Sequence, residues 1–195
     1  MHPAESFRTT DRDVLLDRFR AEPFATVVAV RDGAPVLTHT PILVKDGVVE
    51  GGELLFHVAR SNRIAPALAE SGRALVCTLG GHAYVPPAWY GVPDQVGTWN
   101  YLSAEAEGPV EALDREGTLE FLHTLAATFD DAPAWTAEGM SARVMERLLA
   151  GITAYRLRPE RLEGTTKLSQ NKPAELRERV ADRLGDHPLA DLMRS

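Results

Sequence analysis

The chain has 195 residues, 44% of them hydrophobic and 25% charged, with a formal net charge of −7. That composition is ordinary for a globular chain, and its length is enough to bury roughly 70% of the surface exposed on unfolding, so no covalent staples are needed. No apolar run approaches the ~20 residues that cross a bilayer, the acidic balance gives no electrostatic footprint for nucleic acid, and a single cysteine, Cys77, excludes an internal disulfide framework.

The N-terminal stretch MHPAESFRTTDRD has no apolar core of a signal peptide, so a cytoplasmic, non-membrane protein is expected. Thr10-Asp11-Arg12-Asp13 has the capping pattern of a helix start, and the helix is predicted to run to about Arg20 with Val14, Leu15 and Phe19 on one side. Phe24 to Val30 is a short apolar run rich in Val and Thr, predicted as a buried strand. Asp32-Gly33 then signals a hairpin into a second strand, Pro35 to Val44. Asp46-Gly47 marks another turn before a third strand ending near Val58. Strands joined by such short turns are antiparallel, because parallel strands need long crossovers.

Ser61 is a predicted cap for a helix to about Glu70. Ala74 to Leu79 reads as a fourth strand leading into Gly80 to Tyr101, a stretch with Tyr84, Trp89, Tyr90, Trp99 and Tyr101 among several prolines and glycines. Glycine and proline break regular structure, so a long shaped loop is expected there. Leu102, Ala104 and Ala106 alternate with polar residues as a strand with one wet face. Asp114 begins a helix whose Leu119, Leu122, Ala126 and Phe129 fall at helical spacing. A further helix covers about Ser141 to Ala150, with Val144, Met145, Leu148 and Leu149 inward, and Ile152 to Arg158 is a sixth strand. The run Lys167 to Asn171, KLSQN, has no clear periodicity, and Pro173 suits the first turn of a last helix to about Leu184. Six or seven short, mainly antiparallel strands with helices between them predict an α+β fold, a small barrel flanked by helices.

Three kinds of chemistry have little support. His39, His57 and His82 lie on or beside strands, but no histidine spacing matches a zinc signature, so no metal site is expected. There is no G-x-S-x-G elbow and no Walker or G-x-G-x-x-G phosphate loop. What remains is a dispersed set. Arg60-Ser61-Asn62-Arg63 stands where a helix begins, and cations with free N–H groups at a helix start attract phosphate. Lys167, Ser169, Gln170 and Asn171 add a cation and polar side chains, and the aromatic stretch adds apolar planes. A flavin needs a phosphate grip, an apolar slot and polar groups at the ring edge.

The motifs Pro23-Phe24-Ala25-Thr26-Val27-Val28, Thr38-His39-Thr40-Pro41, Ala59-Arg60-Ser61-Asn62, Gly81-His82-Ala83-Tyr84-Val85, Trp89-Tyr90, Thr98-Trp99-Asn100-Tyr101, Gly151-Ile152 and Lys167-Leu168-Ser169-Gln170-Asn171 occur in one order over about residues 1 to 185. In this the chain resembles the PaiB-type family of FMN-binding negative transcriptional regulators. The resemblance implies an FMN-binding split β-barrel of six to seven strands with flanking helices over residues 1–170, and a C-terminal helical extension over 171–195 packed on the same domain. It also implies a homodimer with FMN at the subunit interface. Carried onto matching positions, the cofactor-binding candidates are Thr38, His39, Thr40, Arg60, Ser61, Asn62, His82, Trp99, Asn100, Lys167, Ser169 and Gln170. The sequence departs from the family pattern where A-N-P-Q-W becomes Ser61 to Ala65 and where V-P-T-W-N becomes Val96-Gly97-Thr98-Trp99-Asn100. A family histidine falls at Glu105, and a glycine before His57 is Phe56. The family name implies a repressor and hence DNA, which the net charge of −7 does not support. An FMN-dependent oxidoreductase acting on a small molecule and a flavin or haem carrier are the alternatives.

Overall fold

The computed structural model describes residues 4–45, 52–130, 136 and 139–194. The predicted Asp46-Gly47 turn lies outside the described residues. A short 3-10 turn at Glu5–Phe7 leads into β1 (Arg8–Thr9) and α1 (Arg12–Ala21). Then come β2 (Phe24–Arg31), β3 (Ala34–Lys45), β4 (Glu53–Ala59), α2 (Ile64–Ser71) and β5 (Arg73–Val85). A 3-10 turn at Pro87–Tyr90 precedes β6 (Thr98–Ala112), α3 (Arg115–Phe129), α4 (Ala142–Gly151) and β7 (Ile152–Leu157). The chain closes with β8 (Arg161–Lys167), α5 (Ala174–Leu184) and α6 (Pro188–Arg194). The fold is α+β, and among the described residues the eight strands run in the order β1-β8-β6-β5-β2-β3-β4-β7, with β6 also pairing β7.

The chain divides into two compact units, one of Pro23–Cys77 with Ala106–Arg161, the other of Met1–Glu22, Thr78–Glu105 and Leu162–Ser195. The first is the barrel. Its antiparallel hairpin β2–β3 turns on Asp32-Gly33, with Arg31 opposite Ala34. Asp32 has φ 52° and Gly33 φ 76°, the left-handed pair that a two-residue type I′ turn requires and that an Asp-Gly dipeptide supplies. β2, predicted as a buried strand, instead alternates: Ala25, Val27 and Ala29 are buried, while Phe24 and Val30 are exposed. Pairing of β6 with β7 through Val110, Glu111 and Ala112 closes the ring of strands. Glu53 is buried in this unit at 4% exposure, with Arg156 Nε and Arg158 Nε each 3.1 Å from its carboxylate. Only the Arg158 contact is aligned as a hydrogen bond.

In the second unit, Asp11 accepts the Val14 N–H and starts α1, which buries Leu15, Leu16 and Phe19. Val14, expected on the inner side, faces solvent. α5 and α6 pack Val180, Ala181, Leu189, Ala190 and Met193 onto Val85, Tyr90 and Leu168. The aromatic stretch is less a loop than its composition predicts. β5 continues through Gly80 and Gly81 to Val85, and β6 already begins at Thr98, which leaves residues 86–97 as the connection. The glycines mark close approach rather than strand ends: a Cβ on Gly80 would lie 3.4 Å from Leu102 Cβ, and one on Gly81 3.3 Å from Leu189 Cδ2. β8 has no alternating pattern because Glu163, Gly164 and Thr165 are consecutively buried.

Candidate functional site

In the barrel unit the polar motif after β4 lies at the start of α2. Ser61 does not cap this helix; the cap position is Arg63, with no side-chain cap bond. Asn62 shapes the turn instead, accepting the Ile64 N–H at 3.1 Å on Oδ1 and donating from Nδ2 to Thr38 Oγ1 on β3 at 2.9 Å. The Arg60 N–H is anchored on the Gly151 carbonyl at 2.9 Å. With the backbone held, the side chains of Arg60, Ser61 and Arg63 stand exposed, and no described residue gives them a hydrogen bond or ion pair. This sets them apart from Arg31, Arg73, Arg115, Arg158 and Arg161, each of which faces a carboxylate. Burial pushes the Tyr155 phenol up, and the nearby Arg60 charge opposes that shift. Two guanidinium groups and a hydroxyl at a helix start make a ready seat for a phosphate.

On β3, Thr40 is buried and donates to the His57 carbonyl at 2.7 Å. His39 Nδ1 lies 3.1 Å from Thr26 Oγ1, with its ring 6.2 Å from that of Phe24. Thr38 and Asn62 are therefore brought together, while His39 is engaged with β2.

The other candidates form a separate group in the second unit. Asn100 Nδ2 donates to Ser169 Oγ at 3.0 Å, and the Tyr90 hydroxyl lies 3.1 Å from the same oxygen. Asn100 and Ser169 are both buried, so they satisfy one another inside the unit. Gln170 folds back, accepting the Leu168 N–H at 2.7 Å and donating to the Ser6 carbonyl at 2.9 Å. Lys167 Nζ donates to Thr98 Oγ1 at 2.7 Å. His82 bonds the Gly80 carbonyl at 3.1 Å through Nδ1 and packs its ring 6.1 Å from that of Trp99, whose other neighbour is Tyr84 at 5.8 Å. Gly97 makes room for that cluster: a Cβ there would lie 2.0 Å from the Tyr84 hydroxyl. The proline of the family pattern would meet the same atom.

The predicted stripe on α3 contains a feature that sequence reasoning missed. The residues α3 buries are Thr118 and Phe121. Leu122, Leu125, Ala126 and Phe129 instead line a cavity of about 700 Å³, together with Pro23, Phe24, Pro41, His57 and Leu148. His57 stands against the Phe121 ring at 5.5 Å. Its Nδ1 is buried and has no hydrogen-bond partner among the described residues, and burial pushes its pKa below the ordinary value, which favours the neutral imidazole. His39 and His57 belong to the barrel unit and His82 to the second, and no cluster of metal-ligating side chains exists among the described residues. The only signal for the cavity was an apolar stripe, and a stripe looks the same whether it covers core or lines a void.

Residues 1–161 match the family model of an FMN-binding domain. The chain belongs to that family. FMN is accordingly its cofactor, and the unpartnered donors at the start of α2 fit a phosphorylated one. Among curated proteins, the FMN-binding chain is 26% identical over 179 residues to "Protease synthase and sporulation protein PAI 2" of Bacillus subtilis strain 168, covering 88% of this chain and 83% of that one. Its fold is shared with the FAD and heme binding protein of Mycobacterium smegmatis, at 24% identity and a TM-score of 0.59 over 82% of this chain and 73% of the other. The flavocytochrome Anf3 of Azotobacter vinelandii is similar at 16% identity and a TM-score of 0.59, covering 86% and 72%. The expected split-barrel architecture of flavin-binding proteins is thus the observed one.

Proposed function

We propose that this protein is an FMN-dependent regulator of the PaiB type, a homodimer in which bound flavin biases an interaction surface. The observation that carries the flavin reading is the set of donors at the start of α2: the side chains of Arg60, Ser61 and Arg63 have no hydrogen-bond or ion-pair partner among the described residues, and the Asn62–Thr38 bond fixes the turn that presents them. Arg60 and Ser61 take the FMN phosphate in this reading. When bound, FMN supplies redox chemistry at its ring; the chain's own residues hold the phosphate and orient the ring. Ser169, a sequence candidate for the same task, is already committed to Asn100 and Tyr90.

The regulatory role is supported by the name of the Bacillus relative, which couples protease synthase to sporulation. Titrating apo-protein with FMN and following the quenching of flavin fluorescence tests the reading. Arg60→Ala should weaken FMN about ten- to a hundredfold, the loss of one charge-assisted bond. An unchanged affinity would place the grip elsewhere.

A second reading has one observation in its favour. A cavity of about 700 Å³ with mainly apolar walls and His57 in its lining suits a haem carrier, and two structural relatives are named for haem or cytochrome content. Addition of haemin should then give a Soret shift that disappears in His57→Phe.

A further inference from the structure

In the second unit a cavity of about 230 Å³ is lined by Phe7, Tyr90, Thr98, Lys167, Asn171 and Lys172, among others. Two ammonium groups reach it. Lys167 Nζ donates to Thr98 Oγ1 at 2.7 Å and lies 5.8 Å from the Phe7 ring centroid. Lys172 Nζ donates to Gln95 Oε1 at 2.7 Å and lies 5.4 Å from the Tyr90 centroid. All four partners are neutral, and among the described residues neither lysine has a carboxylate partner. Both lysines are half-buried. An anion in this cavity would meet two ammonium groups that neutral partners hold and no described carboxylate competes for.

The cavity is also built rigidly. The Lys172 N–H bonds the Ser169 carbonyl at 2.8 Å. Ser169 itself adopts φ 58°, a left-handed conformation that a non-glycine residue keeps only when its surroundings impose it. The bonds from Asn100 and Tyr90 to its hydroxyl impose it here. The turn from residue 169 to 172 therefore holds the Lys172 backbone in place before any ligand arrives, while Lys167 is placed by the end of β8.

We propose that this cavity binds a phosphomonoester dianion between Lys167 and Lys172. Two positive charges match a dianion in number, whereas a carboxylate would leave one uncompensated. The phosphate belongs either to FMN itself or to a separate phosphorylated small molecule, and one experiment separates these sources. Inorganic phosphate, FMN and riboflavin are titrated calorimetrically into the full chain and into Lys172→Gln and Lys172→Arg, with circular dichroism melts to establish folding.

The parent should bind phosphate, Lys172→Gln should weaken it by about tenfold or more, and Lys172→Arg should retain most of the affinity. A parallel loss for FMN but not riboflavin would identify the FMN phosphate as the occupant. An unchanged FMN affinity would identify a separate phosphorylated ligand. The proposal is overturned if the parent shows no saturable phosphate binding and its preference for FMN over riboflavin is the same in Lys172→Gln. The site stands apart from the Arg60 grip, because phosphate binding by a parent that binds no FMN would sink that reading and leave this one.

Discussion

His57 links a single ring nitrogen to the stability of the whole barrel unit. Its burial beside an apolar cavity keeps the imidazole neutral to lower pH than in an unfolded chain. As pH falls below about 6.5, the unfolded chain takes up a proton that the folded chain resists. The unfolded state then binds more protons, so stability drops with falling pH from that point down to the depressed folded value. Melts followed by circular dichroism at about pH 7.5 and about pH 5.5 should show this loss in the parent and a smaller one in His57→Phe. An equal loss in both would assign the pH dependence to other groups. Glu53 shows the opposite arrangement at the same scale: a buried carboxylate compensated by Arg156 and Arg158. The chain pairs the charge it buries at Glu53, whereas the exposed charges at Arg60 and Arg63 have no ion-pair partner among the described residues, and a ligand can supply one.

At the scale of elements, β8 shows how a strand can exist without its usual sequence signal. Gly164 is buried between neighbours, and a Cβ there would lie 2.2 Å from the Ser103 carbonyl oxygen and 2.6 Å from Leu15 Cδ2. The first of these is backbone and cannot rotate away. Gly164→Ala should therefore destabilise the protein by about 1–3 kcal/mol, the cost of overpacking a filled core, seen as a lower urea midpoint. Gly151→Ala is the control, because nothing lies within 4 Å of its Cβ position, and at the end of α4 it should be neutral or stabilising by up to about 1 kcal/mol. Equal midpoints for the two variants would remove the steric account of β8. α1 and α3 were legible in the sequence because Asp11 and Asp114 accept N–H groups three residues on, a purely local bond. α2 was legible as a helix but not in its start, because the turn before it is shaped by Asn62, which also binds Thr38 across 24 residues.

For the whole molecule, charge and apolar surface point in one direction. In the barrel unit Phe24 is 70% exposed and Leu37 58%; in the second unit Trp99 is 53% exposed. Exposed apolar residues on strands are available for contact, and the homodimer proposed above would cover those of the barrel unit, Phe24 and Leu37. Light scattering at micromolar concentration should give a dimer mass, and Leu37→Asp should shift it toward monomer. A monomeric parent would rule out the dimer. Direct binding to DNA is not expected of a chain with net charge −7. Tight binding that weakens steeply with added salt would overturn that expectation.

The sequence alone determined whatever depends on residues close together in the chain. Asp32-Gly33 dictates a two-residue hairpin and so the β2–β3 register, Pro173 precedes α5, and the ordered motifs carry the FMN-binding family. Only tertiary structure decided which polar motif residues remain available. Ser169 and Asn100 look like ligand donors in sequence, yet they meet across 69 residues and satisfy each other. Lys172 looks like an ordinary surface cation, yet it, like the sequence candidate Arg60, is left without a carboxylate partner among the described residues. Hydrogen-bond satisfaction is a property of pairs, and a pair brought together by folding leaves no trace in the local pattern of either member.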